Sequence, residues 1–338
     1  VQEARFLWRR WIKLTTKESI LALFEEQRGV YFSGEEIAAR LAVSRAAVWK
    51  AVNGLRKEGY EIDAVSNKGY RLAADTDILS TQGIEKYQDP VCRTLNLCVL
   101  PEAESTNTLL REKANAGAPE GTVILANTQT KGRGRRGRSF YSPADTGLYL
   151  SILLRPDGMT PDQAVKITTM AAVAVCEAVE EISEKETWIK WVNDIYQEGR
   201  KISGILTEAS VSMENGSVES VILGIGINVY PPESGFPEDI RETAGSVFDG
   251  KQNDGKNRLA AGVLNYFFKE YERIDRTDYV EKYRAKSLVV GKEITILSPS
   301  GDRNATALDV DQDCHLIVQY ENGQTERLSS GEISIRLS

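Results

Sequence analysis

Residues 131–138 read KGRGRRGR, five cationic side chains and three glycines in eight positions, set between two apolar runs, TVILAN and GLYLSILL. Both runs have the length and aliphatic content of buried strands. The basic stretch is therefore a loop joining two core strands of one domain. That placement argues against a targeting tag, a tail or an interdomain linker, the usual settings of a bare basic run. Glycine at 132, 134 and 137 lets the backbone approach a ligand. Arg133, Arg135, Arg136 and Arg138 can neutralise several negative charges, and the planar guanidinium suits phosphate oxygens. GxxxxGK[ST] occurs nowhere in the chain, which argues against a P-loop NTPase.

The surroundings decide which anion the loop suits. Residues 1–74 carry thirteen Lys and Arg against nine Asp and Glu, a net of +4, whereas the whole chain carries −7. The remaining residues are therefore acidic, so nucleotide phosphates fit the loop better than DNA does. The asymmetry itself suggests a small nucleic-acid module attached to an acidic body.

In that first part, TKESILALFEEQ places Ile20, Leu21 and Phe24 at helical spacing. SGEE at 33–36 is a capping-box signature, with Ser33 as cap and Glu36 reaching back. A short AVS turn leads to Ser44, the expected N-cap of SRAAVWKAVNGLRKEG, which Gly59 stops. Two helices joined this closely, the second presenting Ser44, Arg45 and Lys50, form a helix-turn-helix pattern. YEIDAVSNKGYRLA then alternates, turns at 67–69 and returns, as a wing would. From Arg40 to Arg71 there are seven basic and three acidic residues, which favours DNA over a protein-interaction role.

The body mixes both periods. LNLCVL at 95–100, TVILAN, GLYLSILLRP, TWIKWVN, KISGILTEA and SVILGIGINV read as strands. TNTLLREKANAG at 106–117 and a stretch from about Pro161 to Ser183 read as helices. Without strict alternation the expectation is a mixed sheet with helices packed against it. Helices at 257–275 and 278–286 lead to short strands, KEITILSP, NATALDVD, HLIVQYENG and TERLSSGEISIRL, a small β domain.

Other chemistries are narrowed by what the chain holds. Cys92, Cys98, Cys176 and Cys314 form no CxxC pair, against a disulfide scaffold or zinc module and in keeping with a reducing cytosol. His315 is the single histidine, and it is read as structural, which removes a His-based triad or a multi-His metal centre. No apolar run approaches the roughly 18–20 residues of a membrane span. The basic, aromatic start, VQEARFLWRRWIKL, lacks the apolar core and cleavage site of a signal peptide. Two more stretches have the character of site loops. Ser105, Thr106 and Asn107 stand together at a helix start where a cap alone needs one of them. Lys190 in IKWVND lies between two tryptophans, where it either snorkels or offsets charge on a reacting phosphate or carboxylate.

Together, STN at 105–107, TQTKGRGRRGRSFYSP, KWVND at 190–194, KISGILTE at 201–208 and GIGIN at 224–228 resemble the biotin protein ligases. The winged helix in front makes the chain most similar to the bifunctional bacterial members that also repress the biotin operon, over roughly Thr16 to Ser338. The resemblance implies an α+β chain in three parts: an arm and winged helix-turn-helix at 1–76, a mixed-sheet α/β ligase domain at 77–286, and an SH3-like β-barrel at 287–338. It implies that biotin and ATP, with Mg2+, give biotinyl-5′-AMP, and that the biotinyl group passes to a lysine of a biotin carboxyl carrier protein domain. It further implies a cytoplasmic protein with no membrane partner, which binds operator DNA as a homodimer when biotinyl-AMP is bound. Carried over by motif, biotin would meet Ser105, Thr106, Asn107, Gln129, Arg133, Gly134, Arg135, Lys190 and Gly204. The nucleotide would meet Arg135, Arg138, Phe140, Asn193 and Asn228, and Lys190 and Arg135 would be catalytic. Val192 stands where the family motif has proline, and Phe140 where some relatives have tryptophan. A ligand-binding regulator without catalysis and a lipoate-type ligase are the rival readings, and the arginine loop with Lys190 argues against both.

Overall fold

The computed structural model describes residues 14–338 except 213, 215, 275, 298–300, 330 and 336–338, so the N-terminal arm at 1–13 lies outside the described residues. The chain divides into two compact units, Val1–Asn96 with Lys251–Ala261, and Leu97–Gly250 with Gly262–Ser338.

Three helices open the first unit, α1 (Thr16–Glu26), α2 (Gly34–Leu41) and α3 (Arg45–Lys57). Their apolar stripes, among them Ile20, Phe24, Ile37, Val48, Val52 and Leu55, close into one buried cluster with Phe32 and Leu72. Each such side chain contributes about 1.5–3 kcal/mol on burial. The full capping box belongs to Thr15 and Glu18 on α1. At α2 the expected box is only half made: Ser33 Oγ accepts from Glu36 N, but the Glu36 carboxylate takes Arg40, one turn on, at 2.7 Å. A guanidinium four residues away competes better for that carboxylate than a backbone N–H does. Ala42, left-handed at φ 53°, turns the chain toward Ser44, whose Oγ accepts from Ala47 N and caps α3.

The wing is an antiparallel hairpin of β1 (Ile62–Val65) and β2 (Gly69–Leu72). Its turn needs Gly69: φ is +98°, and a Cβ there would lie 2.1 Å from the Phe32 carbonyl oxygen. A short helix, α4 (Thr81–Glu85), capped by Ser80, follows.

The second unit is built on a seven-stranded sheet of β3 (Asn96–Leu100), β4 (Thr122–Ala126), β5 (Gly147–Leu154), β6 (Thr187–Lys190), β7 (Asp194–Gln197), β8 (Arg200–Val211) and β9 (Val218–Asn228). Its order is β3-β4-β5-β9-β8-β7-β6. Pairings from β4 to β6 are antiparallel, while the bridge Ala103–Gln129, just beyond β3 and β4, is parallel, so the sheet is mixed. On one face α5 (Thr106–Asn115) buries Leu110 and Ala114 against Ile124, Leu153 and Ile222. On the other face α6 (Val165–Ser183) packs, entered through a 3-10 turn at Pro161–Ala164. The strand expected through TWIKWVN ends early. Trp191 and Val192 are both buried, as in a strand covered on both faces, but the chain turns there, across a cis Trp191–Val192 peptide, into β7.

Helices α7 (Gly255–Tyr271) and α8 (Asp278–Ala285) precede five antiparallel strands, β10 (Glu293–Leu297), β11 (Arg303–Val310), β12 (Leu316–Tyr320), β13 (Thr325–Leu328) and β14 (Glu332–Ile335), in the order β13-β12-β11-β10-β14. His315 is buried there, beside Asp311, and Arg327 is paired with both Asp311 and Asp313. All four cysteines are free, and among the described residues no helix is long and apolar enough to cross a membrane.

Within the first unit two carboxylates and two cations are buried together. Arg28 holds Glu25 and Asp254, each at 2.7 Å, and donates to the Thr76 carbonyl. Lys86 reaches the same two carboxylates at 2.7 and 2.6 Å. Tyr87 and Asn257 also donate to Asp254, and the Asn257 amide spans Ile78 O and Ser80 N. Desolvation opposes the Asp254 charge, but hydrogen bonds from Lys86, Asn257 and Tyr87 and the nearby Arg28 charge outweigh it, holding the carboxyl below its ordinary range. Asp254→Asn is expected to destabilise this unit by about 3–5 kcal/mol at neutral pH, because it strands buried cations. A carboxyl with a lowered folded pKa stabilises above the unfolded value of about 3.9 and loses that contribution as pH falls through the folded value. Hydrogen exchange in α1 is therefore expected to be much faster in the variant at pH 7, with the difference shrinking below about pH 4.

Candidate functional site

One cross-strand row organises the open face of the large sheet. Lys190 pairs with Asp194, Asp194 with Gly204, Gly204 with Gly226 and Gly226 with Tyr149, so these five residues lie side by side across β6, β7, β8, β9 and β5. In the next row Leu206 pairs with Gly224 and Gly224 with Ser151. The glycines leave bare backbone as a floor. A Cβ on Gly226 would lie 2.6 Å from the Phe140 ring, and one on Gly224 would lie 2.1 Å from Asn107 Oδ1. Glycine in these strands is thus required by close approach, which is its usual meaning in a strand interior.

Over this floor sits a small pocket lined by Ser105, Thr106, Asn107, Gln129, Arg133, Phe140, Gly204, Leu206 and the glycines of β9. Ser105 caps α5, which frees its two neighbours for other partners. Gln129 Oε1 accepts from Thr106 N at 2.9 Å, and Gln129 Nε2 donates to Ser142 Oγ at 3.1 Å. Ser151 donates to Asn107 Oδ1 at 2.6 Å, and Asn107 Nδ2 donates to Glu208 Oε2 at 2.9 Å. Phe140 meets Tyr149 edge-on at 6.3 Å between centroids. Burial pushes the Tyr149 phenol above its ordinary value, so it stays neutral and donates to the Pro143 carbonyl.

The basic run folds as a hairpin over the pocket. Gly134 N donates to Arg138 O at 2.7 Å and Phe140 N to Gly132 O at 3.0 Å, around a 3-10 turn in which Arg136 is left-handed at φ 53°. The glycine backbone therefore first serves the loop itself: the Gly134 N–H is directed at its own hairpin. Arg133 reaches the Glu208 carboxylate at 3.1 Å, and Arg135 donates to Asn193 Oδ1 at 2.9 Å. A second, wider cleft lies on the opposite face of β8 and is lined by Arg135, Val165, Thr168, Val192, Ile205 and Thr207 among others.

Of the residues named from sequence, Ser105, Thr106, Asn107, Gln129, Arg133, Phe140 and Gly204 line one pocket. Lys190 shares its face and row but stands two strands from Gly204, about 10 Å at the usual strand spacing. Arg135 bonds to Asn193 and lines the second cleft, not this pocket, and Arg138 is exposed. Asn228 ends β9 with its amide donating to Gly245 O. In the first unit Arg45 and Lys50 are exposed on α3, and Trp49, 62% exposed, lies between them; Ser44 is engaged as the cap. Sequence reasoning missed Glu208, Ser151, Gly224 and Gly226 as site residues. The spacing of GIGIN and of SGILTE, with every second residue on one face, was the signal available for three of them.

Residues 99–228 match the Biotin/lipoate A/B protein ligase family, residues 16–71 an HTH domain, and residues 289–336 the Biotin protein ligase C terminal domain. The bifunctional ligase/repressor BirA of Bacillus subtilis (strain 168) is 34% identical over 332 residues, 96% of this chain and 100% of that protein. The protein of the same name from Bacillus spizizenii is 33% identical over the same shares. Among solved structures, the biotin protein ligase from Aquifex aeolicus in complex with biotin and ATP has a TM-score of 0.59 and 32% identity, over 72% of this chain and 99% of that one. On this likeness, which runs along nearly its whole length, the chain belongs to the biotin protein ligase family, among the bifunctional ligase/repressors.

Proposed function

We propose that this chain joins biotin to ATP as biotinyl-5′-AMP, passes the biotinyl group to a lysine of a biotin carboxyl carrier protein domain, and represses transcription through its winged helix. The observation that carries the ligase reading is the glycine-floored pocket roofed by the arginine hairpin, in a chain whose bifunctional relatives match it from end to end. The working parts are taken as 1–76 for DNA, 77–286 for the ligase and 287–338 for the C-terminal domain, in a cytoplasmic protein.

Biotin's ring system would enter the pocket beside Phe140, which itself rests on the Gly204–Gly226 floor, with its polar head toward Ser105, Thr106 and Asn107. Its carboxylate and the triphosphate repel each other, and Arg133, Arg135 and Lys190 supply the positive charge that lets them meet in line. The carboxylate oxygen bonds to the α-phosphorus, the bond to pyrophosphate breaks, and the mixed anhydride forms. The carrier lysine's amine then bonds to the acyl carbon, and AMP leaves with the electron pair. No protein nucleophile takes part. Arg138, Asn193 and Asn228 are assigned to the nucleotide. For Mg2+ the carboxylates on this face are Asp194 and Glu208, and each already holds a cation, Lys201 at 2.7 Å and Arg111 at 2.6 Å. They do not form a dedicated metal cage, so no step is assigned to the ion; Mg2+ would come with ATP, on its phosphates.

Incubation with biotin, ATP and a purified biotin carrier domain is expected to add one biotinyl group to the carrier, read by mass; an unmodified carrier would overturn the ligase reading. Lys190→Ala is expected to slow biotin-dependent pyrophosphate release about 10²–10³-fold, as removal of a charge-stabilising donor does. Its melting temperature should stay near that of the parent, since Lys190 is not part of the buried core. Release at the parent rate would remove Lys190 from the mechanism.

The repressor half makes its own prediction. A single winged helix with a modest local charge excess is a weak DNA ligand at cellular salt, and a two-fold dimer doubles its contacts. Biotinyl-AMP is expected to raise both self-association by sedimentation and affinity for operator DNA; equal affinity with and without it would overturn this half alone.

A further inference from the structure

Glu208, on β8 one row past Leu206, serves three groups at once. Oε2 accepts from Asn107 Nδ2 at 2.9 Å, and Oε1 lies 2.6 Å from Arg111 and 3.1 Å from Arg133 of the basic hairpin. The side chain is 23% exposed, beside a pocket it does not itself line.

Its charge has a consequence along the hydrogen bonds. A carboxylate can only accept, so the Asn107 amide must turn its nitrogen to Glu208 and its oxygen to Ser151. Ser151 Oγ lies 2.6 Å from that oxygen and 2.8 Å from Thr106 Oγ1. A hydroxyl has one hydrogen, and an amide oxygen cannot donate, so Ser151 gives its hydrogen to Asn107. The single Thr106 hydrogen then has two acceptors, Ser151 Oγ at 2.8 Å and Gln129 Oε1 at 3.2 Å, and with either one Thr106, which lines the pocket, is left to meet a ligand as an acceptor.

We propose that Glu208 is a positioning residue of this site: it holds the Asn107 amide with its oxygen toward Ser151, beside the Thr106 acceptor, and it seats Arg133 above the pocket. The proposal rests on the biotin reading, whose cyclic urea carries N–H groups for such an acceptor, and the two can fail separately.

The test combines titration of the protein with biotin alone and limited trypsin digestion of the unliganded protein, scored for cuts within 131–138. Binding by the parent protein is expected; no binding would overturn the biotin reading, and the digestion would then decide the seating of Arg133. Glu208→Met, which keeps length but not acceptor, should weaken biotin binding about tenfold or more, in keeping with loss of a charged hydrogen bond. It should also be cut in the hairpin several-fold faster, at an unchanged melting temperature. Glu208→Gln still offers Asn107 an oxygen but no charge to Arg133, so it should retain most of the biotin affinity while losing the protection of the hairpin. That split is one a merely structural role would not produce. Glu208→Met matching the parent in either measurement overturns the proposal. If Glu208→Met does not fold, Glu208→Gln decides: cutting at the parent rate overturns it.

Discussion

Side chains resting directly on bare backbone are the contact on which the rest of the site depends. Asn107 can sit where it does only because Gly224 has no Cβ, and Phe140 only because Gly226 has none. Any larger residue at either place would force its neighbour out by about an ångström, and a close-packed interior does not yield that far cheaply. The floor in turn bounds the depth of the pocket and underlies the hairpin, with Lys190 two strands away from Gly204. Strands β8 and β9 run through the middle of the sheet, where register slips are costly because one residue's shift would move every glycine to the opposite face.

Charge is handled differently in the two units. In the first, opposite charges are taken out of water together: Glu25 and Asp254 are almost fully buried, and each carboxylate meets two cations. Such a cluster fixes geometry tightly, because any displacement leaves a buried ion short of a partner. In the second, the cations of the hairpin stay largely at the surface, where their fields are available to an incoming anion.

Much of this was legible in the sequence. The helix-turn-helix followed from apolar spacing and from Ser33, Ser44 and Gly59, each of which has a strong local preference. The pocket residues at 105–107 and 129–140 were legible because polar triplets and basic, glycine-rich loops have no bland role between core elements. Three things were not. The KWVND turn was hidden because two adjacent buried residues, Trp191 and Val192, read as a continuing strand. Glu36 gave its carboxylate to Arg40, a competition between two partners of similar local reach. Glu208 was overlooked because a carboxylate at the end of a strand is usually solvated, and only the pairing of β8 with β9 brings it beside Asn107.

The basic hairpin is stitched to itself, through Gly134 to Arg138, Gly132 to Phe140 and Gln129 to Ser142. Ordering a floppy loop would cost about 1–2 kcal/mol for every residue fixed. Here that entropy has already been lost during folding. A ligand therefore meets a preassembled arm, and the arm's contribution to residence time comes from how its few arginines let go rather than from how eight residues unravel.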